Sequence, residues 1–184
     1  MIKVSDAIEI AGTIPSWTDP NERQCLGELA QEVGKGRIVE IGALYGGMTA
    51  VIALSNPDAD ITSIDEFSWT PEGYPTASKN LMSLNLRKVG VDNVEILEGD
   101  SRQVGLGWSQ PIDLLWIDGG HSYEFVYSDL IKFGPHAQVI ALHDFGNPFW
   151  TSVANAVNDF LQGNHDFHIS ETVGTVVVLR RMLK

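Results

Sequence analysis

The chain has 184 residues, of which 43% are hydrophobic, and a formal net charge of −12. This length suits one domain with a sizeable core, and no segment is apolar for long enough to cross a bilayer. The negative charge argues against a nucleic-acid partner, because the longest basic cluster is only Arg180, Arg181 and Lys184. A single cysteine, Cys25, and an N-terminus without an apolar signal core predict a cytoplasmic protein.

The N-terminal part, residues 1–36, contains a helix with a clear start signal. Asp19 is a typical N-cap, Pro20 suits the first helical position, and Glu22 completes a capping box. The pattern predicts a helix that runs to about Gly34. We expect residues 1–36 to form a lid or platform beside a cofactor-binding core at 37–184, within one domain.

From Arg37 onwards, short apolar runs alternate with helical patterns, which is typical of an α/β fold with a parallel sheet. The predicted parallel strands are Arg37–Ile41, Ile61–Asp65, Val94–Leu97, Ile112–Ile117 and Ala137–Leu142. The predicted helices are Gly47–Leu54, Ala77–Val89, one that starts near Ser122, and Phe149–Leu161. Two further strands, Phe167–Ser170 and Gly174–Arg180, are close enough along the chain to form a hairpin, so an antiparallel strand should end the sheet.

A glycine-rich turn follows the first strand and opens a helix. Gly42 can adopt backbone angles closed to other residues, and Gly46 and Gly47 are expected to let the main chain approach a ligand. The turn lacks both the G-x-G-x-x-G dinucleotide fingerprint and the Gly-Lys-Ser/Thr of a P-loop. It therefore predicts a nucleotide-like cofactor that is not a polyphosphate.

Acidic residues stand at the ends of all five predicted parallel strands, where open α/β sheets bind ligands. They are Glu40, Asp65, Asp100, Asp118 and Asp144. Asp65 lies 23 residues beyond Gly42, near the separation of about 20 at which an acidic strand end reaches ribose hydroxyls. Any one of these residues could be a solvated or capping group, but five at one sheet edge favour a functional site.

These features together resemble the class I S-adenosylmethionine-dependent methyltransferases over Arg37 to Arg180. The residues that carry the resemblance are Val39-Glu40-Ile41-Gly42, Gly46-Gly47, Asp65, Gly99-Asp100-Ser101 and the terminal antiparallel strand. Three further segments resemble the small-molecule O-methyltransferases that include sugar and macrolide-sugar enzymes: Ile117 to Tyr123, Asp129, and His143-Asp144. The resemblance implies a Rossmann-like, doubly wound sheet of seven strands, mostly parallel, with an antiparallel C-terminal strand.

The resemblance also implies a site for S-adenosylmethionine over the ends of the first three strands. Glu40 would lie near the methionine part of the cofactor, Asp65 on its ribose and Asp100 beside its adenine. The full set of implied cofactor-binding residues is Glu40, Gly42, Tyr45, Gly46, Gly47, Asp65, Gly99, Asp100, Ser101 and Asp118.

Relatives of this type often hold a divalent metal with an aspartate after strand four and two acidic residues after strand five. The match makes Asp118, His143 and Asp144 the implied metal ligands, and carboxylates with waters suit magnesium. His143 departs from that acidic pattern, and imidazole favours transition metals over magnesium, so both the identity and the presence of the metal stay open.

His121 is the predicted general base, with Asp118 as its catalytic neighbour. An ordinary histidine pKa near 6.5 lets this side chain accept a proton at neutral pH. The alternatives are that His121 caps the helix that starts near Ser122, or that it orients Asp118 through a hydrogen bond.

The predicted function is methyl transfer to a hydroxyl of a small molecule, with or without a divalent metal. At least two of five aromatic residues near the sheet edge should line the acceptor pocket: Trp69, Tyr74, Trp108, Phe149 and Trp150.

A catalytically silent cofactor-binding module that acts through a partner is the alternative function, and the non-acidic His143 motivates it. A third alternative is a nucleic-acid methyltransferase, but the sequence contains neither the Asn-Pro-Pro-aromatic motif nor the basic face that would indicate one. Similar enzymes suggest a homodimer, and no membrane partner is expected.

Overall fold

The computed structural model describes residues 2–163 and 166–182, so Lys184 of the basic cluster lies outside the described residues. Seven strands form one sheet: β1 (Arg37–Ile41), β2 (Asp60–Asp65), β3 (Val94–Glu98), β4 (Ile112–Ile117), β5 (Ala137–Leu142), β6 (Phe167–Val173) and β7 (Val176–Arg181). Their spatial order is β3-β2-β1-β4-β5-β7-β6.

The first five strands are parallel, and β7 is antiparallel to both of its neighbours. The predicted Rossmann-like sheet of seven strands, mostly parallel with an antiparallel C-terminal strand, is therefore confirmed. The hairpin differs in detail, because β6 continues through Val173 and the turn is Gly174-Thr175. Gly174 has a φ of 59°, in the left-handed region that favours glycine.

In the described residues, seven α-helices connect or precede the strands: α1 (Val4–Ala11), α2 (Pro20–Val33), α3 (Gly47–Ser55), α4 (Lys79–Lys88), α5 (Ser101–Val104), α6 (Tyr123–Phe133) and α7 (Thr151–Gly163). The predicted capping box of α2 is present. The sequence did not predict α1, which starts after Lys3 without a side-chain cap and is held by burial of Val4, Ala7 and Ala11. The helices α4 and α7 each begin two residues later than predicted.

Side chains on both faces of the sheet are buried, because helices cover each face. On β4, Leu114 and Trp116 join one core, whereas Leu115 and Ile117 join the other. The helices α1 and α2 pack with α3 over the first face, and α6 packs with α7 over the second. This arrangement is the doubly wound layering that the sequence predicts. Among the described residues, no helix is long and apolar enough to cross a membrane.

Candidate active site

A cavity of about 670 Å³ opens at the carboxyl ends of the parallel strands. Its volume is within the range of small-molecule sites. The predicted site residues that line it are Gly42, Gly47, Asp65, Gly99, Asp100, Ser101, Asp118, His121, His143 and Asp144. Three other predicted site residues, Glu40, Tyr45 and Gly46, are not among its lining residues.

Glu40 is fully buried on the sheet face that α3 covers. Its Oε2 accepts hydrogen bonds from the hydroxyls of Thr49 and Ser63, each at 2.5 Å. Burial raises the pKa of this carboxyl to about 7, although both hydrogen bonds oppose the shift. Glu40 thus joins β1 to α3 and β2, and its contact with a cofactor stays a prediction.

Protein atoms pack closely against the glycine turn on the side to which a Cβ would point. Gly42 has a φ of 92°, and a Cβ there would lie 2.2 Å from the carbonyl oxygen of Asp118. At Gly47, the space that a Cβ would fill is occupied by Pro15 and Ser16, and at Gly46 the nearest atom, a side-chain carbon of Met82, is 3.1 Å away. Neighbouring protein atoms thus require glycine at Gly42 and Gly47, and Gly47 also lines the cavity. The approach of a ligand to the main chain of Gly46 and Gly47 stays a prediction.

Tyr45 is buried within the same turn. Its hydroxyl donates a hydrogen bond to the carbonyl oxygen of Pro75 at 2.6 Å. The ring of Tyr74 stacks on the Tyr45 ring with centroids 6.0 Å apart. Tyr45 therefore anchors the loop before α4 to the glycine turn, and a cofactor contact of its own stays a prediction.

Asp65 connects the two loops that form one wall of the cavity. Its Oδ2 accepts a hydrogen bond from the backbone N–H of Leu44 at 2.7 Å, and its Oδ1 accepts one from that of Phe67 at 2.6 Å. Both Leu44 and Phe67 have positive φ, which is uncommon outside glycine. Burial raises the pKa of Asp65, and these hydrogen bonds oppose the rise. A carboxylate has about four acceptor positions, so a diol could still bind.

Glu66 is a lining residue that the sequence analysis missed. It follows Asp65 directly, and its carboxylate accepts a hydrogen bond from the Ser68 hydroxyl at 2.8 Å. The available signal was its position next to an acidic strand end, where a second carboxylate can reach the same ligand.

Asp100 and Ser101 form the wall at the end of β3. Asp100 pairs with Arg102 at 2.7 Å, and this hydrogen-bonded pair lowers the pKa of Asp100. The hydroxyl of Ser101 donates to Asp129 at 2.7 Å. Burial raises the pKa of Asp129 to about 6. The sequence-based placement of Asp100 and Ser101 at the cavity agrees with the structure.

Four side chains converge where β4 and β5 end: Asp118, His121, His143 and Asp144. One candidate ligand atom from each lies within 4.8 Å of all the others. Nδ1 of His143 is 3.0 Å from Oδ1 of Asp118, and Nε2 of His121 is 3.0 Å from Oδ2 of Asp144. Within the described part of the chain, that buried Nε2 of His121 has no partner in hydrogen-bond geometry. The atoms therefore converge as donors to a shared ion would.

The electrostatics of this cluster also fit a cation. Burial alone would lower the pKa of both histidines, but Asp118 and Asp144 outweigh it and raise the pKa of His121 to about 9 and that of His143 to about 11. The same contacts hold the pKa of Asp144 well below its usual range, against the effect of its burial. Two carboxylates with the imidazole of His143 suit a divalent transition metal better than magnesium.

Neighbouring residues fix the orientation of these side chains. Asp144 has a φ of 60°, and the amide of Asn147 donates to its Oδ1 at 2.5 Å. Nε2 of His143 lies 3.2 Å from Oε2 of Glu22, on α2. Burial raises the pKa of Glu22, but hydrogen bonds from Asp19 and Thr175 and the charge of His143 outweigh it, so the net shift is downward. The sequence identified Glu22 only as a helix cap.

Aromatic side chains line the mouth of the cavity. Of the five predicted, Trp69 and Trp150 line it, whereas Tyr74, Trp108 and Phe149 do not, so the prediction of at least two is confirmed. The ring of Trp150 lies 4.9 Å from that of His121. Two lining aromatics were missed, Trp17 and Phe125. No lysine or arginine is among the described residues that line the cavity.

The sequence and the fold match known methyltransferases. A family model described as a methyltransferase domain matches residues 39–145, which is more than half of the chain. No curated protein matches the sequence.

Solved structures share the fold at low sequence identity. The O-methyltransferase NovP superposes with a TM-score of 0.76 at 17% identity, covering 98% of both chains. CalS11, a TDP-rhamnose 3'-O-methyltransferase of calicheamicin biosynthesis, superposes with a TM-score of 0.61 at 20% identity. The match covers 96% of this chain and 79% of the CalS11 chain. A Pyrococcus horikoshii protein named as a candidate RNA methyltransferase superposes with a TM-score of 0.65 at 10% identity. The match covers 100% of this chain and 98% of the Pyrococcus chain.

These identities are too low to show more than a common fold, whereas the family match covers the glycine turn and the strand ends through His143 and Asp144. Fold, cavity and family match agree. The chain therefore belongs to the methyltransferase-domain family, within the class I S-adenosylmethionine-dependent methyltransferases.

Proposed function

We propose that this protein transfers the methyl group of S-adenosylmethionine to a hydroxyl of a small molecule, assisted by a divalent metal. The observation that carries the proposal is the cluster of Asp118, His121, His143 and Asp144, which lines the same cavity as the glycine turn. Methyl transfer from a sulfonium is a direct displacement, so the protein has mainly to orient the acceptor and remove its proton.

The residues of the cluster divide into two roles in this proposal. Asp118, His143 and Asp144 would hold the metal, whose positive charge, when bound, favours loss of the acceptor's proton. Nε2 of His121 would accept that proton. The carboxylates of Asp118 and Asp144 are what raise the pKa of His121 to about 9. Once their charge is balanced, this pKa should fall toward the neutral range that suits a general base.

The lining of the cavity supports a neutral, hydroxylated acceptor. The rings of Trp17 and Trp69 lie 6.4 Å apart at the cavity mouth, edge to face at 68°, where they offer apolar surface to an acceptor. The charged side chains of the lining, histidines aside, are all acidic: Asp65, Glu66, Asp100, Asp118 and Asp144. This excess of carboxylates at the cavity favours a neutral acceptor over one that carries a phosphate or carboxylate, and over a nucleic acid.

The proposal also covers the domain layout, the cofactor contacts and the form of the protein. Residues 1–36 would act as the platform, because Pro15 to Trp17 line the cavity, and residues 37–184 would form the cofactor-binding core of one domain. The proposed cofactor contacts are those of the sequence analysis, with Glu66 added. A cytoplasmic homodimer is the expected form of the protein.

Calorimetry with S-adenosylhomocysteine, with and without Mn²⁺ or Mg²⁺, tests the proposal first. We expect binding that tightens with Mn²⁺, followed by methylation of at least one neutral compound in a panel of phenols and sugars. Binding without any methylated product would favour the silent module. An absence of binding would contradict the cofactor site itself.

A further inference from the structure

The carboxylate of Glu22 makes more contacts than a helix cap requires. As in an ordinary capping box, its Oε2 accepts a hydrogen bond from the backbone N–H of Asp19 at 2.7 Å. Its Oε1 also accepts hydrogen bonds from the N–H and the hydroxyl of Thr175, at 2.7 and 2.9 Å. Nε2 of His143 is the fourth neighbour, 3.2 Å from Oε2. All the acceptor capacity of this buried carboxylate is thus in use.

The contact with His143 determines which ring nitrogen faces the cavity. With Nε2 donating to Glu22, Nδ1 is directed at Oδ1 of Asp118, 3.0 Å away, and at Oδ2 of Asp144, 3.4 Å away. The indole of Trp116 packs against the same ring, with centroids 5.9 Å apart. We propose that Glu22 is a positioning residue, which holds the His143 ring so that Nδ1 is available as a metal ligand.

This inference rests on the proposed function, because the metal ligands are those named there. It concerns a residue 121 positions away in sequence, on a helix outside the matched methyltransferase segment. A carboxylate that accepts a hydrogen bond from a metal-bound histidine fixes the ring orientation and raises its basicity, and loss of such a partner typically weakens metal binding about 10–100-fold.

The turn between β6 and β7 keeps the carboxylate in place. A Cβ on Gly174 would lie 2.6 Å from Oε1 of Glu22, so the turn leaves room for that side chain. The carbonyl oxygen of Thr175 accepts a hydrogen bond from the N–H of Phe145 at 2.8 Å, directly after Asp144. Glu22, the turn and the loop that carries the metal ligands therefore form one hydrogen-bonded unit.

An amide cannot replace this carboxylate without a mismatch. Glutamine has one acceptor oxygen and one NH₂ group, whereas Glu22 accepts hydrogen bonds on both oxygens. If the NH₂ group faces His143, it also meets the N–H donor of Asp19. Nε2 must then become an acceptor and the proton moves to Nδ1, where it blocks the ligand position. If the NH₂ group faces Thr175 instead, two donors meet and the side chain should shift.

The test compares Glu22→Gln with Thr175→Val by calorimetric titration of the purified full chain with Mn²⁺. Thr175→Val removes the hydroxyl contact with Glu22 but keeps the backbone contacts of the turn and the contact with His143. We expect Glu22→Gln to weaken Mn²⁺ binding about 10–100-fold. Thr175→Val should bind Mn²⁺ within about threefold of wild type, even if its melting temperature without metal is lower.

Two results would overturn the inference while the metal site stands: wild-type affinity in Glu22→Gln, or equal losses in both variants, which would show a merely structural tether. No Mn²⁺ binding by the wild type would overturn the metal site and this inference together, and unaltered S-adenosylhomocysteine binding would then leave the cofactor site standing. If Glu22→Gln does not fold, Glu22→Asp takes its place, because the shorter side chain withdraws the carboxylate from His143 and should cause a similar loss.

Discussion

Replacing Asp129 with asparagine should stabilise the folded protein relative to wild type at neutral and alkaline pH. The gain should be smaller at acidic pH. Asp129 is only 1% exposed, and it accepts a hydrogen bond from Ser101 at the cavity wall. Its burial and the charge of Asp100 raise its pKa to about 6, whereas the hydrogen bond from Ser101 and two nearby cations oppose the rise. The ionised side chain therefore costs folding free energy, and asparagine keeps the acceptor oxygen without the charge.

The size of the effect follows from the pKa difference. An aspartate in the unfolded chain has a pKa near 3.9, so the shift is about two units, or roughly 3 kcal/mol. Because the folded state binds this proton more tightly, the contribution of Asp129 to stability is most favourable below about pH 4. It declines as the pH rises through the folded pKa of about 6, and the full cost is present above about pH 7. The asparagine variant lacks this decline.

Urea unfolding between pH 4.5 and pH 8 measures the difference directly. The stability of Asp129→Asn minus that of wild type should grow by about 2 kcal/mol across this range, because part of the decline lies below pH 4.5. Ser101→Ala removes a hydrogen bond that stabilises the charge, so its stability should fall more steeply with pH than that of wild type, by about 1–2 kcal/mol. When Ser101→Ala is combined with Asp129→Asn, this steeper fall of stability with pH should disappear. A difference that stays constant with pH would refute the reasoning.

Other variants test the proposed site. His121→Ala should lower kcat by about 10²–10⁴ with S-adenosylhomocysteine affinity nearly unchanged; undiminished turnover would rule His121 out as the base. Chelation by EDTA should suppress methylation, and Mn²⁺ should restore it better than Mg²⁺, since imidazole ligands favour transition metals; full activity in EDTA would contradict metal assistance. Trp69→Ala should raise the KM for the acceptor several-fold, whereas Trp108→Ala, whose ring packs on Phe133 with centroids 5.4 Å apart, should not; equal effects would argue against the acceptor surface.

The strands could be predicted well because their burial leaves a simple pattern. Each of β1, β4 and β5 is an apolar run bounded by polar residues, and the predicted and observed limits agree. The edge strand β6 was predicted too short, since the missed part, Glu171 to Val173, begins with two polar, exposed residues. The helix α1 was missed because it has no capping side chain and depends on packing against α2 and α3, which a local pattern does not contain.

In the candidate site, too, features that follow from chain order could be predicted, whereas features that depend on packing could not. Parallel strands bring their carboxyl ends to one edge, so the cavity positions of Asp65, Asp118 and Asp144 followed from chain order alone. The contact between Glu22 and His143 did not, because it depends on how α2 packs across the sheet. Nor could the sequence show that Pro15 and Ser16 would occupy the space to which a Cβ on Gly47 would point.

The Gly174-Thr175 turn has a practical consequence for engineering the protein. Its backbone groups contact both Glu22 and Phe145, so a purification tag or a domain inserted there would disturb the ligand loop, although the turn lies at the far end of the chain. The exposed Glu72-Gly73 segment near the cavity mouth is a better insertion point, since a Cβ on Gly73 would have no heavy atom within 4 Å. Sequence distance from the methyltransferase motifs is therefore a poor guide to which loops of this protein tolerate change.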